Sequence, residues 1–434
     1  MDKMADVLGR AGAWCGQNKY LSAIKNAFQN FMPLTIAGAI GVLWCNVLVN
    51  ESTGLGIFFK PIMALEFLNP AFQAVNFCTI SCITVGITLG IAQEIGVWNM
   101  GAEKAGYIPG LVGLAAWLSV TNTSHMVEGA KEAFTGIAGN ELGATGLFTG
   151  MIIAVLSVEL FCFFEKQDAL KIKMPEQVPP GVARAFEVLV PATITLIITA
   201  CIGSACYNLT GLYLNDVIKN GIQGPLGAVG ATIPGVMIIY LVIMLFWLVG
   251  IHGNNMLSAV KEALFTPLAL ENVEAFNKGE TPKNIINMYA LQMWGEFGGS
   301  GVTIGLVIAI MIFGKREDNK AIASLSLVPG LFNINETVTF GIPMVLNPIL
   351  GIPFVFACLV TILVGYVLTV IGFCPVACLT VPWTTPPIVF GFLATGANVM
   401  GAVTQAILIV VSTVIYVPFL IAYEKYQNKQ AAEA

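Results

Sequence analysis

The sequence predicts an all-α integral membrane protein with about ten transmembrane helices and additional re-entrant hairpins. Of its 434 residues, 56% are hydrophobic and only 10% are charged, and the mean hydropathy is +0.81. Soluble domains carry roughly 25% charged residues. A soluble fold of this length would have to cover a large surface with polar groups, and this chain has too few of them. The apolar residues also gather in stretches of about 20, the length that crosses the hydrocarbon of a bilayer.

The apolar stretches are distributed along the whole chain. They lie at 31–49, 75–95, 106–120, 146–164, 186–206, 231–251, 286–313, 340–371 and 399–422. The stretch 106–120 is short for a full crossing, and 340–371 is long enough for more than one. Glycines interrupt 286–313 and charged segments flank it, so a re-entrant hairpin or two short passes are expected there. Irregular backbone at membrane depth is tolerated only beside protein or a watery cavity, and such interrupted segments are typical of transport sites.

The positions of lysine and arginine predict the orientation of the chain. A basic cluster follows the fourth stretch, and Lys425 and Lys429 close the sequence. Both termini are therefore expected in the cytoplasm, with an even number of crossings. The segment 252–285, which carries Lys261 and several other charges, is expected to be interfacial or cytoplasmic. Residues 1–210 are interpreted as a scaffold domain, and residues 211–434 as the domain that holds the broken segments.

Two ionisable residues in apolar surroundings are the main candidates for a functional site. His252 ends an apolar stretch and has Gly250 and Gly253 close by, which would let a ligand approach. Glu336 is framed by asparagines and threonines between helix-breaking residues. An ionisable group in the membrane costs about 2.5–3.5 kcal/mol on insertion scales, so it is a functional candidate by default. The alternatives are a histidine that satisfies a helix end and a carboxylate in a surface loop.

Neutral polar residues supply the remaining candidates. Trp383 and Thr384 lie in a proline-rich segment, where a flat ring beside hydroxyl groups could hold a sugar; the alternative is a tryptophan at the level of the headgroups. The glycine-rich segment 295–301 contains Ser300 and could bring bare backbone to a ligand or simply allow tight helix packing. The set favours a neutral polyhydroxylated substrate. No metal, cofactor or nucleotide motif is present, and the net charge of −5 argues against nucleic acid as a partner.

Around His252 and Glu336 the sequence resembles the membrane-embedded IIC component of the bacterial phosphoenolpyruvate-dependent sugar phosphotransferase system, in the lactose/cellobiose/diacetylchitobiose family. The matching motifs appear in the expected order over most of the chain. They are Ala-Ile-Lys-Asn-Ala-Phe at 23–28, Met-Pro-Leu-Thr at 32–35, Gly-Ile-His-Gly at 250–253, Gly-Gly-Ser-Gly at 298–301, Ile-Asn-Glu at 334–336, Phe-Gly-Ile-Pro at 340–343, Asn-Pro at 347–348 and Pro-Trp-Thr at 382–384.

The resemblance implies a fold and a function. It implies a homodimer in the bacterial plasma membrane, with about five N-terminal helices at the dimer interface and a C-terminal domain that encloses a disaccharide such as cellobiose or diacetylchitobiose. That domain would carry the sugar inward, and a phosphocysteine on a separate IIB protein, itself supplied by IIA, would phosphorylate it. Whether the chain is itself an enzyme stays open, because the phosphoryl group comes from IIB.

The resemblance also implies roles for individual residues. Glu336 and His252 would contact the hydroxyl that accepts the phosphoryl group, as a base or only as ligands. Asn335 and Trp383 would contact the sugar, with Ser300 and Thr384 nearby and with Asn254 and Asn255 beside the histidine. Many relatives have proline at the position of Thr337 and a small residue at that of Asn254, so the identity of the disaccharide stays open.

Two other classes of function compete with a translocator that works with a phosphoryl donor. A secondary transporter would use Glu336 as its proton carrier. A membrane enzyme or a structural scaffold would show no saturable sugar binding. The residues alone leave the first two classes nearly level, and the resemblance favours the translocator.

Overall fold

The computed structural model describes residues 10, 14, 17–50, 56, 59–125, 134–175, 177–225, 230–342, 344 and 347–433. Pro343, which belongs to one of the matching motifs, lies outside them. The described chain is mostly helical, with one short antiparallel pair of strands, β1 (Ser124–His125) and β2 (Phe134–Thr135). It divides into two compact units. The first contains Gln17–Gly38 and Ala74–Ala228, and the second contains Ala39–Gln73 and Val229–Ala434.

The helices of the first part of the chain carry local signals that explain where they begin and end. They are α1 (Lys19–Leu43, continued by a π-turn, Trp44–Leu48), α2 (Asn69–Cys78, preceded by a 3₁₀ helix, Lys60–Leu68), α3 (Ile83–Met100), α4 (Ala102–Ala105), α5 (Ile108–Val120), α6 (Gly139–Leu142), α7 (Ala144–Glu165), a 3₁₀ turn (Asp168–Leu170), α8 (Pro180–Thr210), α9 (Leu214–Ile218) and a π-turn (Lys219–Gln223). Pro180 begins α8, because its missing N–H needs no helical partner there. Gly211 ends α8 in the left-handed conformation with φ 72°.

The first unit is built on closely packed helices. α3 packs against α5 and α7, and small residues allow the close approach. A Cβ atom on Gly86 of α3 would lie 2.1 Å from the ring of Phe31 on α1, and one on Gly113 of α5 would lie 2.3 Å from Ala92. Trp117 of α5 is buried in an apolar cluster with Ile153 of α7. Small residues at helix contacts are typical of membrane bundles, where close packing replaces the hydrophobic effect between helices.

The second unit contains shorter and more broken helices. They are α10 (Ile233–Leu248), α11 (Gly253–Met256), α12 (Ser258–Asn277), α13 (Met288–Gly295), a 3₁₀ turn (Ser300–Val302), α14 (Ile304–Phe313), α15 (Glu317–Leu331), α16 (Glu336–Gly341), α17 (Gly351–Val370), α18 (Val389–Ala394) and α19 (Val399–Glu433). α14 and α17 pack against α19. A Cβ atom on Gly305 of α14 would lie 2.2 Å from Ser412 Oγ of α19, so this contact requires glycine.

Among the described residues, six helices are long and apolar enough to cross a membrane. They are Lys19–Leu48, Lys60–Met100, Ala144–Glu165, Pro180–Thr210, Gly351–Val370 and Val399–Glu433. The pair Met288–Val302 and Ile304–Phe313 adds a broken span or a re-entrant loop, bent by 59°, and Ile108–Val120 and Ile233–Leu248 are shorter apolar helices. A mostly helical, multi-pass membrane protein is thereby confirmed. The expected total of about ten spans stays a prediction.

Candidate functional site

His252 lies in a short connection between α10 and α11. The chain leaves α10 at Leu248 and turns at Gly250, which has φ 82°. His252 then caps α11, because its Nδ1 accepts a hydrogen bond from the backbone N–H of Asn255 at 3.3 Å. The imidazole also packs on the indole of Trp247, with ring centroids 4.4 Å apart. The cap and the indole together fix the direction of the imidazole.

Glu336 is the first residue of α16 and comes close to His252. The distance from His252 Nε2 to Glu336 Oε1 is 3.9 Å, and the two side chains are 39% and 46% exposed. The structure therefore brings together the two ionisable residues that the sequence singled out. Because each side chain is about half exposed, both are accessible to a ligand.

The glycine-rich turn between α13 and α14 binds to the segments that carry these two residues. Gly298, Gly299 and Gly301 all have positive φ, between 68° and 87°, a conformation that glycine adopts without strain. Asn335 Nδ2 donates to the carbonyl oxygen of Ser300 at 2.8 Å, and Asn254 Nδ2 donates to Ser300 Oγ at 2.8 Å. Ser300 and the two asparagines therefore lie together.

Asn333 joins the same turn to the proline-rich segment. Its Oδ1 accepts from the backbone N–H of Gly298 at 2.6 Å, and its Nδ2 donates to the carbonyl oxygens of Trp383 and, at 3.1 Å, Thr385. The indole of Trp383 is 43% exposed, and Thr384 beside it is half-buried. Sequence reasoning noticed Asn333 only as a neighbour of Glu336.

Asn255 contributes to the site through its backbone rather than through its side chain. Its N–H donates to the imidazole of His252, and its side chain is exposed. The sequence expectation of a direct side-chain contact between Asn255 and a sugar stays a prediction.

A buried ion pair lies behind the turn, and the sequence reasoning missed it. Lys261 of α12 is 5% exposed, although the charge pattern had indicated an interfacial or cytoplasmic segment at 252–285. Its ammonium group pairs with the carboxylate of Glu296, which follows α13. The hydroxyl of Tyr240 donates to the same carboxylate at 2.6 Å. The sequence offered a lysine in the charged segment 252–285 and a glutamate in the glycine-rich segment 295–301. Buried charges require partners, so each could have been considered as the partner of the other.

The site joins a half-exposed carboxylate and imidazole to amides, a hydroxyl and an indole, all presented by short helices and irregular turns of an apolar helical unit. Broken helices that bring polar groups to one place in a membrane protein are the usual construction of a transport site. The fold and the site thus define a multi-pass membrane transport protein with a site suited to a polyhydroxylated ligand.

Comparisons with known proteins identify the family. The family model described as "Phosphotransferase system, EIIC" matches residues 25–358. The chain is 34% identical to the oligo-beta-mannoside-specific EIIC component of Bacillus subtilis (strain 168), over 98% of this chain and 94% of the relative. It is 29% identical to the cellobiose-specific EIIC component of Lactococcus lactis subsp. lactis (strain IL1403), over 98% of both chains.

A solved structure agrees with these sequence relatives. The crystal structure of the transporter ChbC, the IIC component from the N,N'-diacetylchitobiose-specific phosphotransferase system, matches with a TM-score of 0.88 and 30% identity, over 97% of both chains. The chain belongs to the EIIC family and is a sugar-specific component of the phosphotransferase system, as the resemblance implied. EIIC components work with IIA and IIB partners.

Proposed function

We propose that this chain binds a β-linked disaccharide between His252, Glu336 and Trp383, moves it across the plasma membrane and presents it to phosphorylated IIB. The relatives support this substrate class, because their names specify cellobiose, oligo-β-mannosides and diacetylchitobiose. The single observation that carries the proposal is the distance of 3.9 Å between His252 Nε2 and Glu336 Oε1.

That distance leaves room for one hydroxyl group. An oxygen about 2.8 Å from both atoms would be at ordinary hydrogen-bond length from each. Nδ1 of His252 accepts the backbone N–H of Asn255, so a neutral imidazole carries its proton on Nε2. Nε2 would then donate to the sugar hydroxyl, and the carboxylate of Glu336 would accept the hydroxyl proton. The hydroxyl oxygen would attack the phosphorus of phosphocysteine, and the bond between phosphorus and sulfur would break to leave a thiolate.

The roles of the two ionisable residues can be tested with the Glu336→Gln variant. A carboxamide of the same shape still accepts a hydrogen bond but cannot take the proton. We expect sugar affinity to change less than about tenfold, while phosphoryl transfer from IIB falls about 10²–10⁴-fold. The exposed Glu317, which pairs with Lys320 on α15, provides a matched control as Glu317→Gln.

The measurement is disaccharide uptake by vesicles that contain the full chain. Product should appear as sugar phosphate, and only when phosphorylated IIB is present. Accumulation of free sugar driven by a proton gradient, and abolished by Glu336→Gln, would instead establish a secondary transporter. Full phosphorylation by the Glu336→Gln variant would show that this carboxylate is not the base.

The oligomeric state and the orientation are further parts of the proposal. The candidate site residues all lie in the second unit, which supports residues 211–434 as the substrate domain. A homodimer formed by the N-terminal helices is supported by α8, which has exposed apolar residues such as Leu189, Ile197 and Ile202. Both termini are proposed to be cytoplasmic. The oligomeric state is tested by measuring the mass of the protein in nanodiscs. The orientation is tested by introducing a cysteine near each terminus and labelling it from either side of the membrane.

A further inference from the structure

A chain of polar side chains runs behind the glycine-rich turn and ends beside the proposed sugar site. The ammonium of Lys261 pairs with the carboxylate of Glu296, which also accepts the hydroxyl of Tyr240. Lys261 Nζ donates to Asn254 Oδ1 at 3.3 Å, and Asn254 Nδ2 donates to Ser300 Oγ at 2.8 Å. The charges are therefore buried and paired at one end, and the half-buried amide of Asn254 lies at the other.

The buried lysine fixes the direction of the hydrogen bonds that run from Lys261 through Asn254 to Ser300. An ammonium group has three donors and no acceptor, so it must face the carbonyl oxygen of the Asn254 amide. The amide nitrogen must then face Ser300, and the Ser300 oxygen must accept from it. Among the described residues, the second N–H of Asn254 and the hydroxyl hydrogen of Ser300 find no acceptor. We call this pair the donor subsite: Asn254 is half-buried, and Ser300 beside it is 4% exposed.

We propose that Lys261 and Glu296 are positioning residues that fix the polarity of this donor subsite, and that the subsite selects sugars which place an oxygen acceptor against it. The inference rests on the proposed function, because it assumes that a disaccharide occupies the site. A sugar hydroxyl or an acetamido carbonyl can accept from both donors. An ammonium group of an amino sugar brings only donors, and it would stand close to the positive charge of Lys261.

The size of the expected selectivity follows from the unmade hydrogen bonds. A sugar ammonium at the donor subsite leaves its own N–H groups and those of Asn254 unpaired and desolvated. Sites built around a specific hydrogen bond reject ligands of the wrong polarity strongly. We expect at least about tenfold weaker binding when ammonium replaces the hydroxyl that faces Asn254.

Two substitutions of Asn254 by side chains of nearly equal size separate the effect of hydrogen-bond polarity from the effect of charge. Asn254→Leu removes the amide donor and adds no charge, so the Ser300 hydroxyl becomes free to accept. Asn254→Asp keeps an oxygen for Lys261 but replaces the amide nitrogen with an acceptor. The double variant Lys261→Met/Glu296→Gln removes both charges together, since removing one alone would leave an uncompensated buried charge. In the double variant the Asn254 amide is free to reverse.

The measurement is calorimetric binding to the purified full chain in nanodiscs, under mildly acidic conditions that keep amines protonated. The probes are cellobiose and the set of its monoamino-monodeoxy analogues, one for each hydroxyl position. We expect at least one analogue to bind the native protein about tenfold or more weakly than cellobiose. For that analogue, the ratio of affinities is the affinity for cellobiose divided by the affinity for the analogue. Asn254→Leu and the double variant should each reduce this ratio by about tenfold. Asn254→Asp should invert it, so that the analogue binds more tightly than cellobiose.

The ratio of affinities distinguishes positioning from structural support. A variant that only damages the fold weakens all ligands equally and leaves the ratio unchanged, and that result would overturn the inference. The inference would also be overturned if the native protein bound every analogue as tightly as cellobiose, or if the double variant retained the native ratio. A change of the ratio in Asn254→Asp but in no other variant would overturn it as well, because the added negative charge would then explain the change without the polarity of the amide. Failure of the native protein to bind cellobiose and every other β-linked disaccharide would refute the proposed function itself.

Discussion

Replacing Asn333 should separate two parts of the candidate site that this side chain holds together. Its amide accepts from the backbone of Gly298 and donates to the carbonyl oxygens of Trp383 and Thr385. Its backbone has φ 62°, in the left-handed region that asparagine tolerates better than most residues. Glycine at this position would keep the backbone conformation and lose only the hydrogen bonds. Alanine would lose the bonds and strain the backbone as well.

The magnitude follows from the three hydrogen bonds. At about 1 kcal/mol each, their loss in Asn333→Gly costs about 3 kcal/mol. Alanine in the left-handed region adds about 1 kcal/mol. If the lost bonds are needed to place Trp383 against the sugar, the same 3 kcal/mol corresponds to a fall in affinity of up to about 100-fold.

The assay combines thermal unfolding of the purified protein with calorimetric binding of a β-linked disaccharide. We expect the order native, Asn333→Gly, Asn333→Ala for decreasing stability, and a large loss of affinity in both variants. Asn398→Ala is the matched control, because the side chain of this exposed asparagine makes, among the described residues, one hydrogen bond: its Oδ1 accepts from the backbone N–H of Met400 at 2.9 Å. The reasoning is refuted if Asn333→Gly unfolds and binds like the native protein, or if Asn398→Ala is equally harmful.

Two predictions concern the first unit. Burial raises the pKa of Glu141, whose neighbours include His125 and Asp216, so folding favours its protonated form and stability falls as pH rises above the usual value of 4.5. Glu141→Gln should therefore raise the unfolding temperature at neutral pH, and the gain should vanish in acid; an equal gain at every pH would contradict this cause. Gly86→Ala should cost about 1–3 kcal/mol by overpacking against Phe31, and Phe31→Leu should restore part of the loss in a double-mutant cycle.

Sequence reasoning succeeded where the physical signal is local. A stretch of about 20 apolar residues has few alternatives to a membrane helix, so the spans at 146–164, 186–206 and 399–422 fall inside α7, α8 and α19. Histidine and glutamate are conspicuous in such surroundings because of their cost, and hydrophobicity alone therefore makes His252 and Glu336 candidates. The family expected from the motifs around them is confirmed by the comparisons.

Sequence reasoning failed where a residue is defined by a distant partner. Lys261 follows the charge pattern of an interfacial segment, and its burial is understandable only beside Glu296, which lies on another element. Asn333 looks like one of several polar neighbours of Glu336 until its bonds to Gly298 and Trp383 are seen. Neither partner could be chosen from the sequence, because many polar residues were equally available.

By itself, the sequence determined that this protein lies in a lipid bilayer and which of its ionisable residues cost free energy there, since both follow from hydrophobicity along the chain. Only the tertiary structure decided that His252 and Glu336 face each other at 3.9 Å, which imidazole nitrogen is free, and which way the Asn254 amide points. These features depend on contacts between residues far apart in the chain. A hydrogen bond has a direction only after both of its partners have been brought together.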